Sequence, residues 1–326
     1  VKYGAPVAVA AAATAPGYTF SGWSQKEDFT MPAENVTITG SFTANGDTAY
    51  TVEHYQQNLA GDGYDLVEVD TEHLTGETDT TATANPKAYT GFTFDGTVEG
   101  TVASGNIAGD GSLVLKLYYT RNSYDVTYAY TGTVPTGASA LPEKATVKYG
   151  APVTVAEAAT APGYTFSGWS RNDFTMPAEN VTITGSFTAN SNTEYTVRHH
   201  FQNILDDAYD ADTAMLSETL SGTTDTLTAA AAKTVAGFTA QSFQQKNIAG
   251  DGSTVVDIYY NRNSYTVTYA VTGTVDPNPN YKQADYRFGQ NVAAEAAAAK
   301  AGYDFIGWAN EPAVMPANDV TATGYF

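Results

Sequence analysis

The chain has 326 residues, with 35 acidic against 15 basic, a net charge of −20 and no cysteine. That balance repels phosphate backbones and anionic lipid headgroups, so no nucleic-acid partner is expected. The missing cysteines exclude disulfides, thiol nucleophiles and thiolate metal sites, and no apolar run approaches the roughly eighteen residues that span a bilayer, so no membrane insertion is expected within this stretch.

Taken in chain order, the opening Val1 to Pro16 imitates the apolar region of a signal peptide, but the string returns at Val147 to Pro162 with Glu157 inside it. It therefore reads as folded repeat. A chain opening on Val1 is expected to be a fragment, with any wall anchor in regions outside it. Asp28 to Asn45 reappears unchanged at Asp173 to Asn190, and a decayed copy, Val314 to Phe326, closes the chain. Val36, Ile38, Gly40 and Phe42 share one face of a predicted closing strand. Trp23, Trp169 and Trp308 mark one slot recurring at roughly 140-residue intervals, too long for a solenoid unit, so the period must hold two modules.

The second module opens with Tyr50-Thr-Val-Glu-His and Tyr195-Thr-Val-Arg-His. It ends with Asn-Ile-Ala-Gly-Asp-Gly-Ser and a Tyr-Tyr strand, at 106 to 119 and 247 to 260. The predicted order is a partial Trp module at 1–47, a Tyr-Tyr module at 48–122, a Trp module at 123–192, a Tyr-Tyr module at 193–263 and a Trp module at 264–326. The polar linkers between them are short, which limits swing. In the Tyr-Tyr strand, Leu115, Leu117 and Tyr119 share one face and Lys116 and Tyr118 the other, entered through an Asp110-Gly111 turn. Tyr265, Val267, Tyr269 and Val271 line one face of the last module's first strand. Alanine-rich Val292 to Gly302, ending at a glycine, and Thr226 to Lys233 are predicted helices. Strands with one covering helix give an α+β fold: tandem β-grasp modules, β-rich and arranged as an elongated rod.

The run Lys148 to Ser170 followed by Phe174 to Phe187 resembles the Listeria-Bacteroides repeat, also called the internalin B-repeat, and Tyr124 to Thr188 matches its pattern best. The Tyr-Tyr module is similar to mucin-binding-protein repeats through Tyr-Thr-Val-x-His, the Leu-x-Gly-x-Thr segments at Leu74 to Thr78 and Leu220 to Thr224, Gly-Phe-Thr and the terminal Tyr-Tyr. Both likenesses imply ubiquitin-like β-grasp modules in large exported bacterial proteins, often attached to the cell wall, and neither supplies a catalytic residue set. The first Trp module departs from the pattern by lacking its opening strand, and the third has lost much of Thr-Met-Pro-Ala-Glu-Asn. The resemblance implies a non-catalytic stalk or spacer of an extracellular, cell-surface, adhesin-like protein. The alternative is a module that binds host or mucin glycans.

No cofactor, metal or catalytic site is expected. His54 and His199 share a slot, with His200 beside the latter and His73 alone; adjacent strand residues face opposite ways, so they read as structural. Asp206, Asp207, Asp210 and Asp212 match no calcium-loop spacing, and the first copy has only Asp62 and Asp65 there, so a solvated turn is expected. The Gly-Asp-Gly-Ser strings precede strands rather than helices and read as hairpin turns. Tyr118 and Tyr259, opposite the aliphatic row, either stack glycan rings or pack under the helix or a neighbouring module; a module of about 70 residues has a thin core, which favours packing. The tryptophans follow a glycine that can bulge the strand, and a core position is favoured. The strand missing from the first module leaves an orphaned sheet position, expected to be filled by a neighbouring copy or else disordered.

Overall fold

The computed structural model describes residues 1–209 and 216–326. Two compact units emerge: one of residues 1–129, 141–157 and 169–184, the other of 130–140, 158–168 and 185–326. The middle Trp module contributes to both.

In the first unit, Thr48–Gln57 lies beside Val114–Arg121 in parallel, flanked by Tyr64–Leu66 and Glu72–Gly76 on one side and Phe92–Phe94 on the other. The predicted alternation holds. Leu115, Leu117 and Tyr119 are fully buried, packing with Val52, Ala82, Ala84 and Ile107 into one core. Ser123–Tyr130, Ala145–Lys148 and Val181–Gly185 form a three-stranded sheet, over a second core of Val126, Val153, Met176, Val181 and Ile183.

The second unit repeats the plan. Thr193–Phe201 is parallel to Val255–Arg262, with Leu216–Gly222 and Phe238–Ala240 antiparallel on the outer sides. Ser264–Val271 runs parallel to Val320–Gly324 and antiparallel to Asn278–Arg287. Tyr265, Val267, Tyr269 and Val271 lie on the expected inner face, Val267 and Tyr269 inside a core with Val292, Met315 and Ala322.

The α+β, β-grasp expectation is overturned. Among the described residues the only helical element is the 3-10 turn Glu68–Asp70, and the connections between the parallel strands contain no α-helix. Val292 to Lys300 hydrogen-bonds outward: the Val292 N–H donates to the Ala313 carbonyl at 3.0 Å, the Glu295 N–H to Glu311 Oε1 at 2.7 Å, and the Trp308 indole N–H to the Ala296 carbonyl at 3.0 Å. Thr226 to Lys233 does likewise, with the Ala230 N–H and carbonyl both bonded to the Gln245 side-chain amide and the Lys233 N–H donating to the Tyr260 hydroxyl. An alanine helix this short is marginal in water, so these external partners outweigh a propensity advantage of a few tenths of a kcal/mol per residue. The glycine taken as a helix cap, Gly302, has φ +83° and sits in a turn closed by Tyr303 N–H to Lys300 C=O, as Gly17 and Gly163 do after prolines in the other copies. That is turn chemistry rather than capping.

Residues 1–47 form two short antiparallel pairs, Pro6–Val7 with Phe29–Thr30 and Tyr18–Phe20 with Phe42–Ala44, and none of them is buried. The closing strand predicted there is absent, although its copy at Val181–Gly185 is formed.

Candidate functional site

Two constructions recur in both copies: a cluster of rings on the outer sheet face, and a pair of joints between successive modules.

Tyr118 projects from the face opposite the core. Its ring stacks on Tyr55 with centroids 4.9 Å apart, and Tyr64 meets it edge-on at 5.1 Å. The Tyr55 hydroxyl donates to Glu53 at 2.6 Å, and that bond, with burial, pushes its pKa up to about 12. In the second copy Tyr259 stacks on His200 at 4.8 Å, with Tyr209 edge-on at 5.1 Å. The charges swap sides between copies: Lys116 lies opposite Glu53, whereas Asp257 lies opposite Arg198 and bonds His200 at 2.8 Å. With no helix to cover them, these rings pack on their own sheet, and Tyr259 keeps 39% of its surface exposed. Such rings can stack sugars or stiffen the sheet through edge and face contacts.

His54 and His199 are fully buried, each between a tyrosine hydroxyl and a carboxylate: His54 Nδ1 is 2.8 Å from the Tyr119 hydroxyl and Nε2 3.1 Å from Glu72, and His199 bonds Tyr260 and Glu218 at 2.8 and 2.9 Å. The Lys87 N–H donates to the Tyr119 hydroxyl, which can then donate to Nδ1, leaving the proton on Nε2 to face the carboxylate. The row ties the crossover to the sheet. Bonds from His54 and Lys87 hold the Glu72 carboxyl below its usual range; those from Lys233 and His199 do the same for Glu218.

Among the described residues no three of His, Asp and Glu converge as a metal group. Asp206 accepts from the Ala208 N–H and the Asn203 side chain, and Asp207 from Gln202 and Arg287; Asp210 and Asp212 lie outside the described residues. Asp62 accepts from Asn58. The tryptophans are half-buried: Trp169 packs edge-on to Tyr128 at 4.9 Å and Trp308 to Tyr269 at 5.1 Å, while each indole N–H bonds the carbonyl twelve residues earlier, on Ala11, Glu157 and Ala296.

The joints were not anticipated from sequence. At the first, the buried Thr78 hydroxyl donates to the Gly17 carbonyl at 2.8 Å and sits 2.7 Å from the Thr48 hydroxyl, its N–H donates to the Asn45 carbonyl, and Tyr18 bonds Asp79. Gly109, inside the Asn-Ile-Ala-Gly-Asp-Gly-Ser string, lies so close to the Pro16 carbonyl that a Cβ would overlap it. The copy uses Thr224, Gly163, Thr193, Asn190, Tyr164, Asp225, Gly250 and Pro162 in the same roles. The glycine string makes a turn, closed by Gly111 N–H to the Ala108 carbonyl, but not the expected hairpin, because Ser104–Asn106 pairs with Thr81–Thr83 and Val114–Arg121 with Thr48–Gln57. At the other joint Arg121 donates to the carbonyls of Gln57 and Tyr149 and lies 4.6 Å from the Phe92 ring centre, while Tyr149 packs edge-on to Phe92 over Gly91. Arg262 repeats this with Gln202, Phe288, Phe238 and Gly237. The available signal was the identical Arg-Asn-Ser-Tyr at 121–124 and 262–265.

Residues 1–46 and 126–191 match the family model described as the divergent InlB B-repeat domain, and residues 265–324 match the Listeria-Bacteroides repeat domain. The chain carries three repeats of these types. No curated protein matches. Among solved structures, the chain is similar to SHIRT domains 3-4, Streptococcal High Identity Repeats in Tandem, from a cell surface protein. The match has 15% identity, covers 43% of this chain and 98% of that one, and has a TM-score of 0.18.

Proposed function

We propose that the chain is a load-bearing stalk of an extracellular bacterial surface protein, in which B-repeat-type modules alternate with modules resembling mucin-binding-protein repeats, at the boundaries given above. One observation carries the reading. Three times the first and last strands of a module are parallel neighbours: Thr48–Gln57 with Val114–Arg121, Thr193–Phe201 with Val255–Arg262, and Ser264–Val271 with Val320–Gly324. A pull on a module's two ends then shears those strands, loading a whole ladder of backbone hydrogen bonds at once instead of opening them one by one. The recurring joints support the reading, because each spends part-buried hydrogen bonds on fixing one module to the next. Net charge keeps the stalk soluble and unassociated. Single-molecule stretching of residues 1–326 tests it: discrete force peaks, one per sheet, are expected, and smooth extension at low force would refute it.

A second reading, glycan or mucin binding, is favoured by the ring clusters, since Tyr259 presents an exposed face between polar neighbours. A glycan array with Tyr118→Ala and Tyr259→Ala controls checks it; saturable binding lost in those variants would make the chain an adhesin module.

A further inference from the structure

We infer that Asn45-Gly46 is a modification site, at which water converts the Asn45 side-chain amide to aspartate and isoaspartate, and that the isoaspartate product opens the first joint. It is the one Asn-Gly step in the sequence, and the second joint carries Asn190-Ser191 at the same place. The chain thus contains its own comparison.

The two sites share their local structure. Each asparagine is half-buried and leads into a two-residue turn exposed to solvent. The Asn45 N–H donates to the Gly17 carbonyl at 2.8 Å, and the Asn45 carbonyl accepts from the Thr78 N–H at 2.9 Å; Asn190 uses Gly163 and Thr224 at 2.9 and 3.0 Å. The Thr19 hydroxyl donates to Asn45 Oδ1 at 2.7 Å, as Thr165 does to Asn190 Oδ1 at 2.7 Å. That bond polarises the side-chain carbonyl and stabilises the negative charge its oxygen gains when the carbon is attacked. What differs is the residue that supplies the attacking nitrogen. Gly46 has open space around it and no Cβ to restrict its backbone, whereas Ser191 has one.

The Gly46 backbone nitrogen loses its proton and bonds to Asn45 Cγ. The Cγ–Nδ2 bond breaks, and Nδ2 leaves with that proton as ammonia, closing a five-membered imide. Water then opens the ring. Cleavage between the Gly46 nitrogen and Cγ gives aspartate with the backbone unchanged. Cleavage between that nitrogen and the Asn45 backbone carbonyl carbon gives isoaspartate, whose main chain runs through Cβ and Cγ. This second product lengthens the chain by one methylene and turns the carbonyl that accepts from Thr78 into a free carboxylate. The added length also displaces Thr48, which pairs with Gly76 and sits 2.7 Å from the Thr78 hydroxyl.

The test incubates the 1–326 chain in oxygen-18 water at neutral and mildly alkaline pH and maps its peptides by mass spectrometry, with chromatography to separate the two products. Heavy oxygen is expected at residue 45, sooner at the higher pH because the attacking nitrogen must lose a proton. It should enter at least about tenfold faster than at residue 190, a ratio that asks for a barrier difference of only about 1.4 kcal/mol. Gly46→Ala should slow Asn45 to the rate of Asn190, and Ser191→Gly should raise Asn190 to that of Asn45; both positions are exposed, so neither change disturbs packing. The denatured chain, run alongside, gives the rate without the fold. An intact Asn45 in the folded chain once the denatured one has reacted, or equal rates at 45 and 190, would overturn the inference. Hydrogen exchange on the aged chain reads the joint: the Thr78 amide should lose protection in proportion to isoaspartate, while the Thr224 amide keeps it. Asn45→Asp should leave Thr78 protected, because its backbone is not lengthened. A Thr78 amide still protected in an isoaspartate-rich sample would refute the opening of the joint.

Discussion

At the scale of single residues, buried polar side chains here are spent on joining segments. Thr78 donates across a joint from a position 2% exposed, so Thr78→Val leaves the Gly17 carbonyl facing an apolar group and should cost about 1–3 kcal/mol, read from denaturant unfolding, with the equivalent loss for Thr224→Val. Gly91 and Gly237 have φ near +80° beneath the Tyr149 and Phe288 rings, so alanine at either adds backbone strain and a ring clash, and should destabilise by more than about 1 kcal/mol. Glu72 and Glu218 are held more acidic in the folded chain than in the unfolded one. Their contribution is therefore present above the unfolded pKa near 4.5 and is lost as the pH falls through the folded value. Glu72→Gln with Glu218→Gln should lower stability at pH 7 and flatten its decline below about pH 4.5, as followed by thermal melts across pH. The His slot was legible because it recurs after Tyr-Thr-Val. Its tyrosine and glutamate partners were not, because they come from strands distant in sequence.

At the scale of elements, alternation was readable and helix propensity misled. Period-two patterning placed Leu115, Leu117 and Tyr119 inside correctly because a strand's two faces are fixed by geometry alone. Alanine runs carry no such geometric constraint; their conformation is decided by which partners their amides find, and here Gln245, Glu311 and three aromatic side chains provide them. Far-UV circular dichroism should accordingly show no helical minimum near 222 nm. Gly302→Ala should destabilise the last module by about 1 kcal/mol, because φ +83° strains any residue with a Cβ.

At the scale of the whole molecule, stability under load and stability at rest become separate quantities. A proline in the middle of a sheared strand, such as Leu117→Pro, removes one ladder bond and should abolish a single force peak while the peaks of the other sheets remain. Removing a joint, by Arg121→Ala or Arg262→Ala, should leave the peak heights unchanged and widen the distribution of distances between fluorophores placed on the adjoining modules, measured by energy transfer.

By itself the sequence determined the two recurring sequence patterns, the inner faces of their long strands and the turn at Asp-Gly, because each is a local property repeated often enough to be read without knowing its partner. Tertiary structure alone decided that the alanine runs form no helix, that the first and last strands of a module lie parallel, and that Thr78, Gly109 and Arg121 meet the neighbouring module. Those outcomes depend on which distant backbone groups remain to be satisfied once the sheets have formed, and no local pattern encodes that.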